Sequence, residues 1–384
     1  MTVKITFFPV GNGDMTLIET DSKKKILIDC RIRQNDDYPN ALEMLRDALG
    51  DRQDGKKVVD LFVWSHPDKD HCQGIEEHFH LGPPEEWSDE EDLIFINEIW
   101  SSPMVYKRAN RTNNKLCDDA KALRKEVKRR VELFEDKKQF ESGDRVLVLG
   151  EDENGNTDNI QDIVLHLDEC CSKINGSYEE SFEARLLGPA SKAELDEEEE
   201  TLGKNHSSVI INYCLSAGGK SINFLSGGDA EVACWESLEK RLSSTKILEY
   251  LDYDILQAPH HCSWHSLSRD SLSDKGEDAE VCEEAMNALN RVKDGGFIVS
   301  SSEMIEDNEK DPPAFRAKKE YESILEEKKG DFKCVANHKK NGKNIPMVIT
   351  FNGDEVELTA ATSAANKSGQ PSEAVNRAGG DGYA

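Results

Sequence analysis

Leu61-Phe62-Val63-Trp64-Ser65-His66-Pro67-Asp68-Lys69-Asp70-His71 joins a short apolar run to four metal-ligand side chains spaced His-x-Asp-x-Asp-His. The apolar residues have the composition of a buried strand, so the ligands leave its end in a loop. Alternate residues at the end of a strand can point the same way, whereas neighbours point apart. Asp70 and His71 therefore diverge, and one short loop can serve two metal ions. Paired divalent ions generate a hydroxide at neutral pH and clamp both oxygens of a displacement. On these residues the chain reads as a binuclear metallohydrolase.

Four fragments elsewhere repeat the layout of an apolar strand with polar chemistry at one end. Leu225-Ser226-Gly227-Gly228-Asp229 ends in two glycines, which allow close backbone approach, and an aspartate able to bridge two cations. Ile255-Leu256-Gln257-Ala258-Pro259-His260-His261 ends in paired histidines. Asn205-His206-Ser207 precedes the apolar run 208–215, and Gly13-Asp14 closes a turn between two strands. A site at one rim of a sheet sandwich requires this layout.

Patterning supplies the frame. Residues 3–10 and 15–20 flank Gly11-Asn12-Gly13-Asp14 as a hairpin, and 25–29 form a third strand. Leu42, Leu45 and Leu49 share a helical face closed by Gly50, and 58–64 is expected as one strand. Further strands are expected over 145–149, 163–167, 182–187, 208–215, 221–225, 254–258, 297–301, 347–351 and 356–359. Helices are expected over 236–251 and 313–328. Residues 81–140 are expected as an insertion or a cover over the site. They include a helix near 118–140 whose Ala120, Leu123, Val127, Val131 and Phe134 form one buried stripe. Beyond 360 small and polar residues dominate, so 1–360 is expected as one hydrolase domain and 361–384 as a disordered tail. Mixed strands and helices without strict alternation give an α/β (α+β) layered sandwich.

Taken in order, Val10-Gly11-Asn12-Gly13-Asp14, Ile28-Asp29, Ser65 to His71, Asn205-x-Ser207, Gly228-Asp229-Ala230-Glu231 and His260-His261-Cys262-Ser263 resemble the metallo-β-lactamase superfamily. More closely they resemble the hydrolase domain of the competence protein ComEC and its stand-alone relatives. Phe297–Ser301 and Asp311-Pro312-Pro313 extend the resemblance to roughly residue 355. It implies a four-layer αββα fold with a helical insertion and two divalent metal ions. His66 and Asp68 would bind the first ion, Asp70 and either His260 or His261 the second. His71 would complete one of the shells, and Asp229 would bridge them.

The implied reaction is attack of a metal-activated hydroxide on a phosphodiester of DNA, RNA or a nucleotide. Asp70 would orient or deprotonate the water, and Asp14 would support it from behind the ligands. Asp68, an oxygen ligand, stands where many members carry histidine, which moves preference from zinc toward manganese and leaves both metals open. Three departures matter. Cys262 replaces a usual glycine. Cys30-Arg31 replaces a small turn, so Arg31 reaches toward the substrate mouth. His206 adjoins Asn205, leaving open which of the two faces the metals. Asn205, Ser207, Arg31 and Ser263 are the candidate substrate contacts.

Composition narrows the class. A formal net charge of -28, from 76 acidic and 48 basic residues, opposes nonspecific nucleic-acid binding except where metals or local bases offset it. The ten cysteines include no Cys-x-x-Cys pair, and the first residues lack a signal-peptide pattern. No run approaches the roughly 20 apolar residues of a membrane helix. A cytoplasmic protein with no membrane partner is expected. Two other readings stay open. One is a hydrolase of a small non-nucleic substrate. The other is a partner-gated subunit of a defence or stress system, docking through the acidic face or 81–140.

Overall fold

Val3, Ile5 and Phe7 are fully buried while Lys4 between them reaches the edge, the period-2 burial of a strand with one face on a core. This strand pairs antiparallel with Thr16–Glu19 on one side and with Met347–Phe351 on the other. The computed structural model describes residues 2–35, 37–50, 55–105, 115–152, 155–190 and 203–359. The acidic run Asp196–Glu200 and the expected tail 361–384 lie outside the described residues.

Two sheets make the sandwich. The larger has nine strands, in the order Val164–Leu165, Arg145–Leu149, Glu98–Ser101, Leu61–Trp64, Lys25–Ile28, Thr16–Glu19, Val3–Phe7, Met347–Phe351 and Val356–Leu358. The smaller has seven: Cys170–Cys171, Phe182–Gly188, Ile210–Ala217, Lys220–Ser226, Tyr253–Gln257, Val292–Ser300 and Asp331–Cys334. In each sheet an antiparallel part adjoins a parallel one. Alternation decides which side chain goes where. Phe224, Ile255 and Val299 face the core between the sheets, where the Phe7 and Phe224 rings meet at 5.9 Å. Their neighbours Leu225, Leu256 and Ile298 pack outward beneath the helices Val232–Thr245, Glu283–Leu289 and Phe315–Glu326. The helices Ala41–Leu49 and Asp118–Lys137 contribute their buried faces to the cluster on the larger sheet. The result is the α/β (α+β) architecture expected, with helices outside two packed sheets.

Three expectations need correction. The run 58–64 is two strands, not one: the Asp60 carboxylate accepts the Lys25 N–H at 2.9 Å, and Val58–Val59 turns aside to pair with Phe95–Ile96. Within 81–140, Glu98–Ser101 is an interior strand of the larger sheet rather than part of an insertion. Its leading glutamate hides it in the sequence; buried Glu98 accepts the Trp100 indole N–H at 3.1 Å. The helix expected over 236–251 starts earlier, at Val232, and stops at Thr245, with a separate turn at Leu248–Leu251.

The helix Asp118–Lys137 is bolted to the sheet by a buried charge. Arg130, 1% exposed, donates to the carbonyls of Arg145, Ile96 and Asn97 at 3.0, 3.2 and 3.4 Å. Its Nε meets Glu126 Oε1 at 2.7 Å. The guanidinium thus satisfies carbonyls that the helix interior could not reach.

Candidate metal centre

Strand ends from both sheets converge at one rim of the sandwich. Leu61–Trp64 runs into Ser65, His66 and the one-turn helix Lys69–Cys72, which carries Asp70 and His71. Lys220–Ser226 ends at Gly227-Gly228-Asp229, and Tyr253–Gln257 ends at Ala258, Pro259 and the histidine pair. Backbone bonds lock these ends together: Val209 N–H to Ser65 O at 2.9 Å, His260 N–H to Gly228 O at 2.9 Å, and Asp14 N–H to Asp70 O at 3.1 Å. Glycine is required twice. Gly228, at φ 50°, would put a Cβ 2.7 Å from Ser65 Oγ, and a Cβ on Gly13 would lie 2.9 Å from Asp70 O.

Asp229 is the centre, 2% exposed, and its two oxygens divide the histidines. Oδ2 lies 3.7 Å from both His66 Nε2 and His260 Nε2. Oδ1 lies 2.9 Å from His71 Nε2 and 3.4 Å from His261 Nε2. Asp68 Oδ2 adds to the first set, 3.5 Å from His66 Nε2; Asp70 Oδ2 adds to the second, 3.4 Å from His261 Nε2. In the groups His66/Asp68/Asp229 and Asp70/His71/His261 the ligand atoms all lie within 4.8 Å of one another. The histidines are nearly all buried, whereas Asp68 and Asp70 keep 27% and 30% of their side chains exposed, so these two mark the open edge. Both paired histidines face Asp229, one on each oxygen.

Local conformation explains the pair. His260, His261 and Cys262 all have left-handed φ, at 50°, 54° and 69°. For non-glycine residues this costs about 1–2 kcal/mol each. Strain of this kind persists where the surroundings over-determine it and clusters at functional sites. Here it lets adjacent imidazoles reach opposite oxygens of one carboxylate.

The donor set fits metal ions. His66 Nε2 and His261 Nε2 are buried without a hydrogen-bond partner, an arrangement that costs free energy unless a further group joins them. Charge is matched as well. Burial works against ionising Asp229, yet His71, then His260, His261 and His66, hold it well below the usual carboxylate range. Burial also opposes the His71 cation and is overridden by Asp229 and Asp29, so its pKa stands well above that of free imidazole. For His261 burial is outweighed by Asp229 and then Asp14, which push it up to about 10.

Both imidazoles therefore hold a second proton more tightly than free imidazole does, and a metal binding there must displace protons. Metal affinity is expected to rise with pH through the neutral range and fall in acid. Titration calorimetry of zinc or manganese in two buffers of different ionisation enthalpy should show proton release. Identical heats in both buffers would contradict the assignment of His71 and His261 as ligands.

Behind the candidate ligands sit residues that orient their rings. Asp29 Oδ2 lies 2.8 Å from His71 Nδ1, leaving Nε2 toward Asp229. Asp29 also accepts the backbone N–H of Ser65 at 2.8 Å and the Ser65 hydroxyl. Ser208 Oγ lies 3.2 Å from His66 Nδ1, and Asp14 Oδ1 lies 3.3 Å from His261 Nδ1. Ile28-Asp29 stands among the sequence motifs without an assigned role, and Ser208 is not singled out there; the register of Ile28 on Val63, and the crossing between sheets at Val209, bring both to the site. Asp29 has φ 55°, which asparagine tolerates. Asp29→Asn is therefore expected to keep the fold while weakening metal binding about 10–100-fold, the usual effect of losing such a partner. Competition with a fluorescent chelator measures this, and unchanged affinity would remove Asp29 from the site.

The expected substrate contacts fare unevenly. Arg31 stands at the Asp70 side, with Nε and Nη1 buried and without hydrogen-bond partners; burial, then Arg33, lowers its pKa while Asp70 favours its charge. Asn205 donates to Glu231 at 2.6 Å and leaves its own Oδ1 unbonded. Ser207 and Ser263 bond within their own turns. Both are fully buried: Ser207 donates to Lys204 O at 2.5 Å and Ser263 Oγ accepts the His265 N–H at 3.1 Å, so each hydroxyl closes its own turn. His206 bonds locally as well. Its Nδ1 accepts the Gly203 N–H at 3.1 Å, and it joins none of the groups of converging ligand atoms among the described residues. Lys204, not anticipated, pairs with Asp68 Oδ2 at the open edge.

No protein-family model matches the chain, and no curated protein matches it. Among solved structures it is similar to the Rm3 metallo-β-lactamase, at 13% identity over 74% of this chain and 90% of that one, TM-score 0.31. It is similar also to MEM-A1, a subclass B3 metallo-β-lactamase from a soil metagenome library, at 15% identity over 74% and 92%, TM-score 0.33. A third is the metallo-β-lactamase SMB-1 in complex with mercaptoacetic acid, at 12% identity over 83% and 95%, TM-score 0.32.

Proposed function

We propose that this chain is a metal-dependent hydrolase of the metallo-β-lactamase superfamily that cleaves phosphodiesters, akin to the stand-alone relatives of the ComEC hydrolase domain. The observation that carries it is the division of Asp229, whose Oδ2 faces His66 and His260 and whose Oδ1 faces His71 and His261. His66, Asp68, His260 and Asp229 would hold one divalent ion; Asp70, His71, His261 and Asp229 the other. Mixed imidazole and carboxylate donors suit zinc or manganese. Two such ions supply Lewis acidity at the phosphoryl oxygen and acidify water at neutral pH.

The chain's own groups do the rest. Asp70, on the open edge beside His261, orients the attacking water and takes its proton. Asp29 and Asp14 hold His71 and His261 in one ring orientation. Arg31 beside Asp70 and Lys204 beside Asp68 place fixed positive charge on both flanks of the opening. That favours an anionic phosphodiester over a neutral ester and offsets locally the repulsion from a net charge of -28. Residues 1–360 form one hydrolase domain in this reading. The cysteines are all free, which suits a reducing cytoplasm.

The test is cleavage of single-stranded DNA, double-stranded DNA, RNA and bis-p-nitrophenyl phosphate with manganese, zinc or chelator. Metal-dependent turnover, lowered about a hundredfold by Asp70→Ala, is the expected result. Absence of turnover with two ions bound would overturn the phosphodiesterase reading and favour a small non-nucleic substrate or an activating protein partner.

A further inference from the structure

Two thiols tie the ligand loop to the helix beside it. Cys72 closes the one-turn helix that carries Asp70 and His71, and its Sγ donates to Asp68 O at 3.3 Å. Cys117 caps the 20-residue helix Asp118–Lys137, its Sγ accepting the Ala120 N–H at 3.4 Å. The two sulfurs are 3.7 Å apart. Cys72 is fully buried and Cys117 partly exposed, so an oxidant in solution meets Cys117 first. A third thiol, the fully buried Cys30, neighbours Cys72 across a parallel bridge, with its Sγ directed to Gln73 O at 3.5 Å.

We propose that Cys72 and Cys117 are a modification site, a dithiol that closes to a disulfide and in doing so disturbs the loop that presents Asp68, Asp70 and His71. The oxidant is a low-molecular-weight disulfide such as oxidised glutathione. Cys117 thiolate attacks one sulfur of that disulfide, forming a mixed disulfide and expelling one glutathione thiolate. Cys72 then attacks Cys117 Sγ, forming the Cys72–Cys117 bond and expelling the second. Two protein thiols are oxidised, one external disulfide is reduced to two thiols, and the two protons leave with them.

The consequence follows from distance. A disulfide spans about 2.05 Å, so the sulfurs must close by roughly 1.7 Å. Metal ligands tolerate only about 0.5 Å of misplacement, and Cys72 directly follows His71. Its Sγ also leaves the Asp68 carbonyl when it bonds to Cys117. The effect on metal rests on the ligand assignment proposed above; the disulfide itself does not.

The experiment uses the full chain, equilibrated in glutathione buffers of graded potential, alkylated and mapped by peptide mass spectrometry. Metal affinity is measured on the same samples. A Cys72–Cys117 peptide is expected as the first disulfide to form, reversed by dithiothreitol and absent in Cys117→Ser. Oxidised wild type should bind zinc about tenfold more weakly, the size of effect seen when support behind a ligand is lost. Oxidised Cys117→Ser should bind like the reduced protein. A Cys30–Cys72 link, or a Cys117 that stops at the mixed disulfide, would overturn the site. Equal loss of zinc by the oxidised serine variant would overturn the coupling. A chain that binds no metal in either state, yet forms the Cys72–Cys117 bond, would refute the metal reading and leave the disulfide standing.

Discussion

With the function proposed above, Asp229→Asn is expected to prevent two ions from binding together and to lower metal-dependent phosphodiester cleavage by about a thousandfold, the scale of several kcal/mol of lost charge stabilisation. The carboxylate lies within reach of four imidazoles, from His66, His71, His260 and His261. Asparagine keeps its shape but presents one oxygen and an NH2 that cannot ligate. Elemental analysis should show the purified variant with at most one ion per chain. The substitution also removes the charge that favours the cationic forms of His71 and His261. Without that carboxylate their buried cations are disfavoured, so the variant should release fewer protons on binding any remaining metal. A variant that retained two ions and near-normal turnover would show that Asp229 is a structural partner of the histidines and not their bridge.

Glu126→Ala should be the most destabilising single change outside the centre, by about 3–5 kcal/mol, because it leaves the Arg130 guanidinium buried without its carboxylate. Glu126 also pairs with Arg129 at 2.7 Å, so two cations lose their partner together, although Arg129 keeps Asp144 at 2.8 Å. Urea unfolding measures the effect. It carries a pH signature. Burial alone would raise the Glu126 pKa, but Arg129 and Arg130 bring it below the ordinary glutamate value. A group with a depressed folded pKa stabilises fully above its unfolded pKa and loses that contribution as pH falls through the folded value. The difference between wild type and Glu126→Ala should therefore be constant near neutrality and shrink below the ordinary glutamate range. A difference that grew in acid would assign the stabilisation to another group.

The sequence carried the strands and the ligand types, and it failed where contacts depend on register or on an unusual backbone. His66, Asp68, Asp70 and His71 were legible because one strand and one turn hold them together. The partners of those ligands were less so: Asp29 lies 42 residues from His71 and reaches it only through the parallel pairing of Lys25–Ile28 with Leu61–Trp64. The choice between His260 and His261 looked like an alternative because adjacent side chains ordinarily diverge. Three consecutive left-handed residues turn the alternative into a pair. His206, Ser207 and Ser263 bond within their own turns, as polar side chains beside a turn often do. Glu98–Ser101 was hidden by a buried glutamate, and the edge strand Asp331–Cys334 by its charged residues, which suit an exposed edge.

The pairing of Val3–Phe7 with Met347–Phe351 has a consequence for biosynthesis. The strand that leads into Gly13 and Asp14 gains its second neighbour only when the chain has been made to residue 351. At about 5–20 residues per second, translation takes on the order of tens of seconds to get there. Through that interval the nascent chain carries the apolar edge of its first strand uncovered, a template for pairing with other chains. A ribosome-bound chain stopped before residue 347 should be protease-sensitive at its first hairpin, and one released beyond residue 351 should not.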